Sequence, residues 1–143
     1  MSATIAETRD IAACHALRRA VFMDEQGVSE ADEIDGQDDA AVHLLASVDG
    51  TPVGTARILF DGATGKIGRV CVLRAHRGTG LGAALVRAAA DAIRARPGMQ
   101  VAKLGGQVPA MGFYERLGFE AYGPVFDDAG IDHRMMRLAF GRG

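Results

Sequence analysis

Six residues, Arg77-Gly-Thr-Gly-Leu-Gly82, constrain this chain more than any others. Glycines at 78, 80 and 82 clear alternate positions of side chains, so backbone N–H groups there can come close to a bound group. The apolar run Ile67 to Leu73 before them reads as a strand. The alanine-rich stretch from Gly80 to Arg96 after them reads as a helix, which Pro97-Gly98 ends. A helix start presents unpaired N–H donors and the positive end of its dipole. Strand, glycine turn and helix start, with an arginine at the turn, together suit a pyrophosphate.

The rest of the chain sets that unit in a mixed sheet. Thr4 to Glu7 reads as a short first strand. Asp10 is a good N-cap for a helix carrying Ile11, Cys14, Leu17, Val21 and Phe22 at helical spacing, running to about Gln26 before Gly27. The acidic segment to Asp39 reads as loop with one short helix. Val42 to Val48 and Val53 to Phe60 flank the hairpin signal Asp49-Gly50, and Lys66 to Leu73 follows a second turn at Asp61-Gly62 and Gly65. These three strands predict an antiparallel meander. In the following helix Leu81, Leu85, Ala88 and Ala92 form an apolar stripe, with Arg87, Asp91 and Arg94 facing away. A strand at Gln100 to Leu104 then implies a right-handed crossover and a parallel pair. Pro109 suits the first turn of a helix ending at Gly118, and Phe119 to Tyr122 and His133 to Phe140 read as last strands. The expectation is an α+β domain spanning 1–143, with one mixed sheet of six or seven strands and about four helices.

Charge is unevenly placed although the net formal charge is only −2. Asp24 to Asp39 holds eight acids and no base, whereas Arg57 to Lys103 holds nine bases against Asp61 and Asp91. The middle of the chain is set up for an anion, and the acidic segment suits either a cation or plain solvation. The slightly acidic whole argues against nucleic acid. Met1 to Asp10 has no basic region followed by an apolar stretch, and no apolar run approaches the roughly 20 residues of a membrane helix. With Cys14 and Cys71 as its two cysteines, the chain is expected to be cytoplasmic, with reduced thiols and no membrane partner.

Two other phosphate motifs fail. Gly78-x-Gly80-x-x-Ala83 meets a loose dinucleotide pattern, but Met99 to Gly106 contains no acid for a ribose. Gly62-Ala-Thr-Gly65-Lys66 has the glycine spacing of a hairpin turn, and Ile67 stands where a phosphate loop needs Ser or Thr. No His, Cys, Asp or Glu cluster has metal-ligand spacing, so no metal is expected.

Taken with the meander and the tail, the turn resembles the acyl-CoA motif of the GNAT family of N-acetyltransferases. That motif is Arg or Gln, two residues, Gly, one residue, Gly or Ala, met here by Arg77, Gly80 and Gly82. A second family motif follows as Gln107-Val-Pro-Ala110-Met-Gly-Phe113-Tyr114-Glu-Arg-Leu117-Gly118-Phe119, with Gln107 in place of the usual Asn. More narrowly the chain is similar to the ElaA/YjcF-like subgroup, through Val21 to Gln26, Glu33-Ile-Asp35, His43-Leu44, Gly54 to Arg57, Ile67 to Val70 and Gly130 to His133.

The resemblance implies splayed central strands and transfer of an acetyl group from acetyl-CoA to an amine, with a homodimer possible by analogy. Backbone from Arg77 through Gly78, Thr79, Gly80 and Leu81 to Gly82 would hold the pyrophosphate. Val70, Cys71 and Val72 would pair with the pantetheine arm, and an N–H at Cys71 or Val72 would donate to the thioester carbonyl. Tyr114 would protonate the leaving thiolate, since a phenol keeps its proton at neutral pH. Gln107 either bonds the pantetheine or caps its helix. A small amine is the expected acceptor, with Glu25, Glu33, Asp35, His43 and His133 as polar candidates facing it. Arg57 and Arg69 would either bind an acidic group of the acceptor or pair with the acidic loop. Cys71 lacks a neighbouring His in sequence, so direct attack in a ternary complex is expected rather than an acyl-enzyme.

Overall fold

The computed structural model describes residues 3–140. Seven strands form one sheet: β1 (Ala3–Thr8), β2 (Val42–Val48), β3 (Thr51–Asp61), β4 (Thr64–Val72), β5 (Val101–Gln107), β6 (Glu120–Asp128) and β7 (Ile131–Ala139). Their order across the sheet is β1-β2-β3-β4-β5-β7-β6. Every neighbouring pair is antiparallel except β4–β5, which the crossover helix makes parallel. The helices are α1 (Ile11–Arg18), α2 (Glu30–Glu33), α3 (Leu81–Ala95) and α4 (Met111–Arg116).

Local chemistry sets these boundaries. The Asp10 side chain accepts from the Ala13 N–H at 3.1 Å and caps α1. Asp49 (φ 51°) and Gly50 (φ 83°) both take the left-handed conformation, as a two-residue hairpin twisted like its strands requires. Strand alternation then clothes both faces. Leu44, Ile58, Ile67, Leu104 and Met136 pack with Leu85, Val86, Ala89 and Ile93 of α3. Leu45 turns the other way, towards Leu17, Val21 and Cys71 under α1.

Several boundaries depart from the sequence reading. The first helix does not stay α-helical to Gln26, because Arg19–Glu25 widens into π-helical turns whose last bond is Gln26 N–H to Val21 O, 3.0 Å. The buried stripe of α3 is Leu81, Leu85, Val86, Ala89, Ala90 and Ile93, and Ala88 and Ala92 flank it. Strand β6 runs six residues past Tyr122, to Asp128. It is interrupted opposite Arg134: Tyr122 pairs with Met135 and Phe126 with His133, so Gly123, Pro124 and Val125 loop out of register. Pro109 lies in a 3₁₀ turn, Val108–Ala110, that precedes α4.

One close approach sets how α3 lies on the sheet. A Cβ placed on Gly65 would fall 2.6–2.8 Å from three carbons of the Ile93 side chain. Ile93 is fully buried and cannot withdraw. Gly65→Ala is therefore expected to overpack this contact and lower unfolding free energy by about 1–3 kcal/mol, read from urea denaturation.

Candidate active site

The cleft begins where two parallel strands part. β4 and β5 pair from Thr64↔Val101 to Ile67↔Leu104 and no further. Just beyond, β4 carries one extra residue: Gly68 pairs with Arg57 and Cys71 with Thr55, so Arg69 and Val70 together oppose Ala56. Arg69 takes φ 52° in this bulge, a left-handed conformation that costs a non-glycine residue about 1 kcal/mol or more. The bulge turns β4 away while β5 stays paired to β7 as far as Gln107↔His133. Between the strands opens a cleft of about 920 Å³, lined by Gly68, Arg69 and Val70 on one side and Leu104, Gly105 and Gln107 on the other. Tyr114 and His133 also line it. Cys71 and Val72 lie farther along β4, buried and outside the cleft lining.

The acidic segment forms one wall through a buried ion network. Arg18, 1% exposed, donates from Nε to Glu33 Oε1 (2.5 Å) and from Nη1 to Asp38 Oδ1 (2.7 Å). Arg57 donates to both carboxylate oxygens of Asp35 (2.9 and 2.8 Å) and to Asp38 Oδ1 (3.2 Å). Arg69 donates from Nη2 to the Glu33 carbonyl (3.1 Å) and to Asp35 Oδ2 (3.3 Å). Its Nε stands 2.7 Å from Glu33 Oε2, too poorly aligned for a hydrogen bond. Arg57 and Arg69 thus pair with the acidic loop, and the reading of that run as a plain solvated face does not hold for Glu33, Asp35 and Asp38. The hydrogen bond from Arg57 holds the Asp35 carboxyl at about 2. Burial alone would raise Asp38, but bonds from Arg18, His15 and Arg57 hold it well below the usual carboxylate range.

The sequence reading missed Arg18 and Asp38. Arg18 follows Cys14 by four positions on the buried stripe of α1, and a base on an apolar stripe is the signal that it has a buried partner.

At the glycine turn, Gly78 (φ 78°) and Gly80 (φ 86°) are left-handed, and a Cβ on either would meet no protein atom within 4 Å. Backbone conformation, not packing, requires glycine there. Gly80 is the N-cap of α3 and no side chain caps the helix. Its first backbone bond runs from Ala84 N–H to Gly80 O (3.0 Å), so the N–H groups of Leu81, Gly82 and Ala83 stand free among the described residues. The Thr79 hydroxyl donates to the His76 carbonyl (2.7 Å) and braces the turn. Arg77 is not a free cation at this turn. Its Nε donates to Val72 O (2.9 Å), and its Nη atoms grip both oxygens of Glu25, Nη2 at 2.7 Å. Glu25 therefore belongs to the turn and does not line the cleft with Glu33 and Asp35.

The remaining candidates separate in the same way. His43 is buried, bonds from Nε2 to the Asp38 carbonyl (2.9 Å) and lies outside the cleft lining. The Gln107 amide donates to Gln26 Oε1 (3.2 Å) across the cleft mouth. Tyr114 packs edge-on against Phe113 and Phe119, and burial raises its phenol above the ordinary value. Burial likewise pushes the Cys71 thiol up to about 12, so it carries no thiolate at neutral pH. Among the described residues no group of three or more His, Cys, Asp or Glu is arranged to hold a metal. No helix there is long and apolar enough to cross a membrane.

Two outcomes are expected of the ion network. Arg18→Met removes the most buried cation from Glu33 and Asp38, leaving them only their partners on β3, β4 and His15, and should cost about 3 kcal/mol in chemical denaturation. A carboxyl depressed in the fold contributes stability that is whole above its unfolded value, about 4, and is lost as pH falls through its folded value. The thermal midpoint should therefore drop as pH falls from about 4 to 2, and Asp35→Asn should flatten part of that drop.

Comparison with known proteins places this geometry. The family model for the acetyltransferase (GNAT) domain matches residues 11–140. The uncharacterized N-acetyltransferase YjcF of Bacillus subtilis is 35% identical over 84% of this chain and 86% of its own. An acyl-CoA N-acyltransferase from Pseudomonas aeruginosa superposes with a TM-score of 0.83 at 31% identity, covering 97% of this chain and 100% of its own. Escherichia coli ElaA gives 0.82 at 29% identity, over 96% and 98%. The family match over residues 11–140, with a relative 35% identical over 84% of the chain, shows that the chain belongs to the GNAT family of acetyltransferases.

Proposed function

We propose that residues 1–143 are one domain that moves an acetyl group from acetyl-CoA to the primary amine of a small molecule, by direct attack in a ternary complex. The observation that carries this reading is the continuity of the parted strands with the open N-terminus of α3. Beyond Ile67↔Leu104 the facing edges of β4 and β5 have lost each other as partners, and such edges suit the amides of an extended pantetheine arm. The N–H groups of Leu81, Gly82 and Ala83, reached by way of Gly78 and Gly80, suit the pyrophosphate. Acetyl-CoA is the donor used across the family, and the Pseudomonas aeruginosa relative is named for an acyl-CoA.

Tyr114 supplies the proton for the departing thiolate. A phenol raised by burial stays protonated through neutral pH and is available as an acid. Arg77 acts by holding the turn to Val72 and Glu25 while backbone N–H groups meet the phosphates. The two buried, unbridged cysteines fit a reducing compartment. A cationic acceptor fits the charge of the cleft. With Arg57 and Arg69 engaged, Asp32, Asp61 and Asp128 make no ion pair there among the described residues, against one free amine, Lys66.

Free-thiol release from acetyl-CoA tests the reading, with a panel of small amines, a lysine peptide and a free N-terminal peptide as acceptors. Release with the small amines is the expected result. Release with the peptides alone would shift the substrate to protein. Tight acetyl-CoA binding without release would mark a sensor instead. Tyr114→Phe should lower kcat by about 10²-fold or more with acetyl-CoA affinity unchanged, and an undiminished rate removes the acid from Tyr114.

A further inference from the structure

We infer that Nε2 of His133 is the base that takes the proton of the acceptor ammonium. The inference rests on the acetyl-transfer reading above and assigns it a second proton-handling group.

The tautomer follows from one bond. Nδ1 of His133 lies 2.7 Å from the Ile131 carbonyl oxygen. A carbonyl only accepts, so Nδ1 carries the hydrogen and the lone pair of the neutral ring is on Nε2. Nε2 makes no hydrogen bond among the described residues, and it is not one of the sealed polar atoms that lack a partner, unlike His43 Nδ1 and Arg57 Nε. The ring is stacked on Phe126 with centroids 5.8 Å apart, which holds its plane. His133 is thus oriented, and open at the nitrogen that can accept.

Its place complements Tyr114. A Cβ on Gly106 would lie 3.1 Å from Tyr114 Cδ2, and one on Gly105 would lie 3.5 Å from Phe126 Cζ and 4.0 Å from His133 Cδ2. Successive strand residues face opposite sides, so the phenol and the imidazole flank the end of β5 from opposite faces of the sheet. Leu104 and Met136 point into the core under α3. By alternation Gly105, Met135 and His133 share the other face, with Arg57 and the acidic wall where a cationic acceptor would enter.

Elimination supports the same residue. Glu25 is held by Arg77, Glu33 and Asp35 by arginines, and His43 is outside the cleft. Asp32, Asp61 and Asp128 are carboxylates, intrinsically weaker bases than imidazole.

The protons balance. The ammonium gives its first proton to Nε2, and the freed amine forms the C–N bond as the C–S bond breaks. The thiolate takes the Tyr114 proton. The second nitrogen proton restores the phenol through water, and the imidazolium releases its proton to solvent, one per turnover. The other titratable and charged groups lining the cleft are Tyr114 on α4, Asp128 on β6, Arg57 and Asp61 on β3, Lys66 and Arg69 on β4, and Asp32, Glu33 and Asp35 of the acidic segment. Its cross-strand neighbours, Gln107 and Phe126, do not titrate.

Two measurements test it. Long-range ¹H–¹⁵N correlation on the wild-type protein at alkaline pH should show the Nδ1–H tautomer for His133, and an Nε2–H tautomer overturns the proposal. Thiol release is then followed against pH with acetyl-CoA and spermidine, kanamycin or propylamine. His133→Asn keeps a donor for Ile131 and removes the base. It should lower kcat about 10²-fold and abolish the acidic limb of the profile. The deficit should shrink at least tenfold with 2,2,2-trifluoroethylamine, which is already neutral at the assay pH. His133→Gln, with acetyl-CoA binding as the check on folding, provides a second variant. Rates within threefold of wild type in a folded variant overturn the base alone. No release by the wild type with any amine overturns the acetyl-transfer reading, and the base with it.

Discussion

Three guanidiniums paired with three carboxylates, buried at Arg18, Arg57, Glu33 and Asp38 and half-buried at Arg69 and Asp35, hold this molecule's cleft in shape. Arg18, Arg57 and Arg69 come from α1, β3 and β4, while Glu33, Asp35 and Asp38 lie on one short segment that starts at the last residue of α2. That segment has little apolar matter of its own with which to adhere, and Ile34 is exposed. Ionic contacts therefore do what hydrophobic burial does elsewhere in the fold. Such a network is stable only when complete, since each charge has left water and depends on its partners. It also explains how Arg69 tolerates a left-handed backbone: its side chain is anchored at Glu33 and Asp35, so the bulge that parts β4 from β5 is fixed from both sides. The wall and the opening are two results of one set of bonds.

The turn and helix obey a different logic. Close packing of Ile93 on Gly65 seats α3 against the start of β4, and Gly80 leaves its N-terminus bare. Arg77 is committed to Glu25 and Val72, which leaves the backbone as the source of positive potential. An arginine in an anion motif can serve as a clasp on the loop rather than as a hand on the ligand.

Much of the fold was legible because local patterns encode it. Val42–Val48 matches the expected strand end for end, and Asp49-Gly50, Asp10 and Pro97-Gly98 mark boundaries by chemistry that acts over a few residues. The boundaries misread are those where distant partners decide. Strand β6 continues past its weak pattern because β7 offers it a ladder, and the first helix widens at Arg19 where α1 gives way to the acidic segment. The site divides along the same line. Glycine spacing and the tyrosine motif are visible in sequence, but pairs such as Glu25 with Arg77 depend on contacts 52 positions apart. His43 and His133 look alike as polar residues on apolar strands. Register sends one to a buried carbonyl and the other to the cleft.

An open sheet has two ends, and here the ends are unlike. The β6 end is broken by Gly123, Pro124 and Val125, where the chain leaves its ladder and proline has no N–H to give. A foreign strand aligning there would find its run of hydrogen bonds cut after a few residues. The interruption that returns Phe126 to the ladder opposite His133 thus also limits how far this sheet can be copied outward along β6, so one irregularity serves both the cleft and the edge.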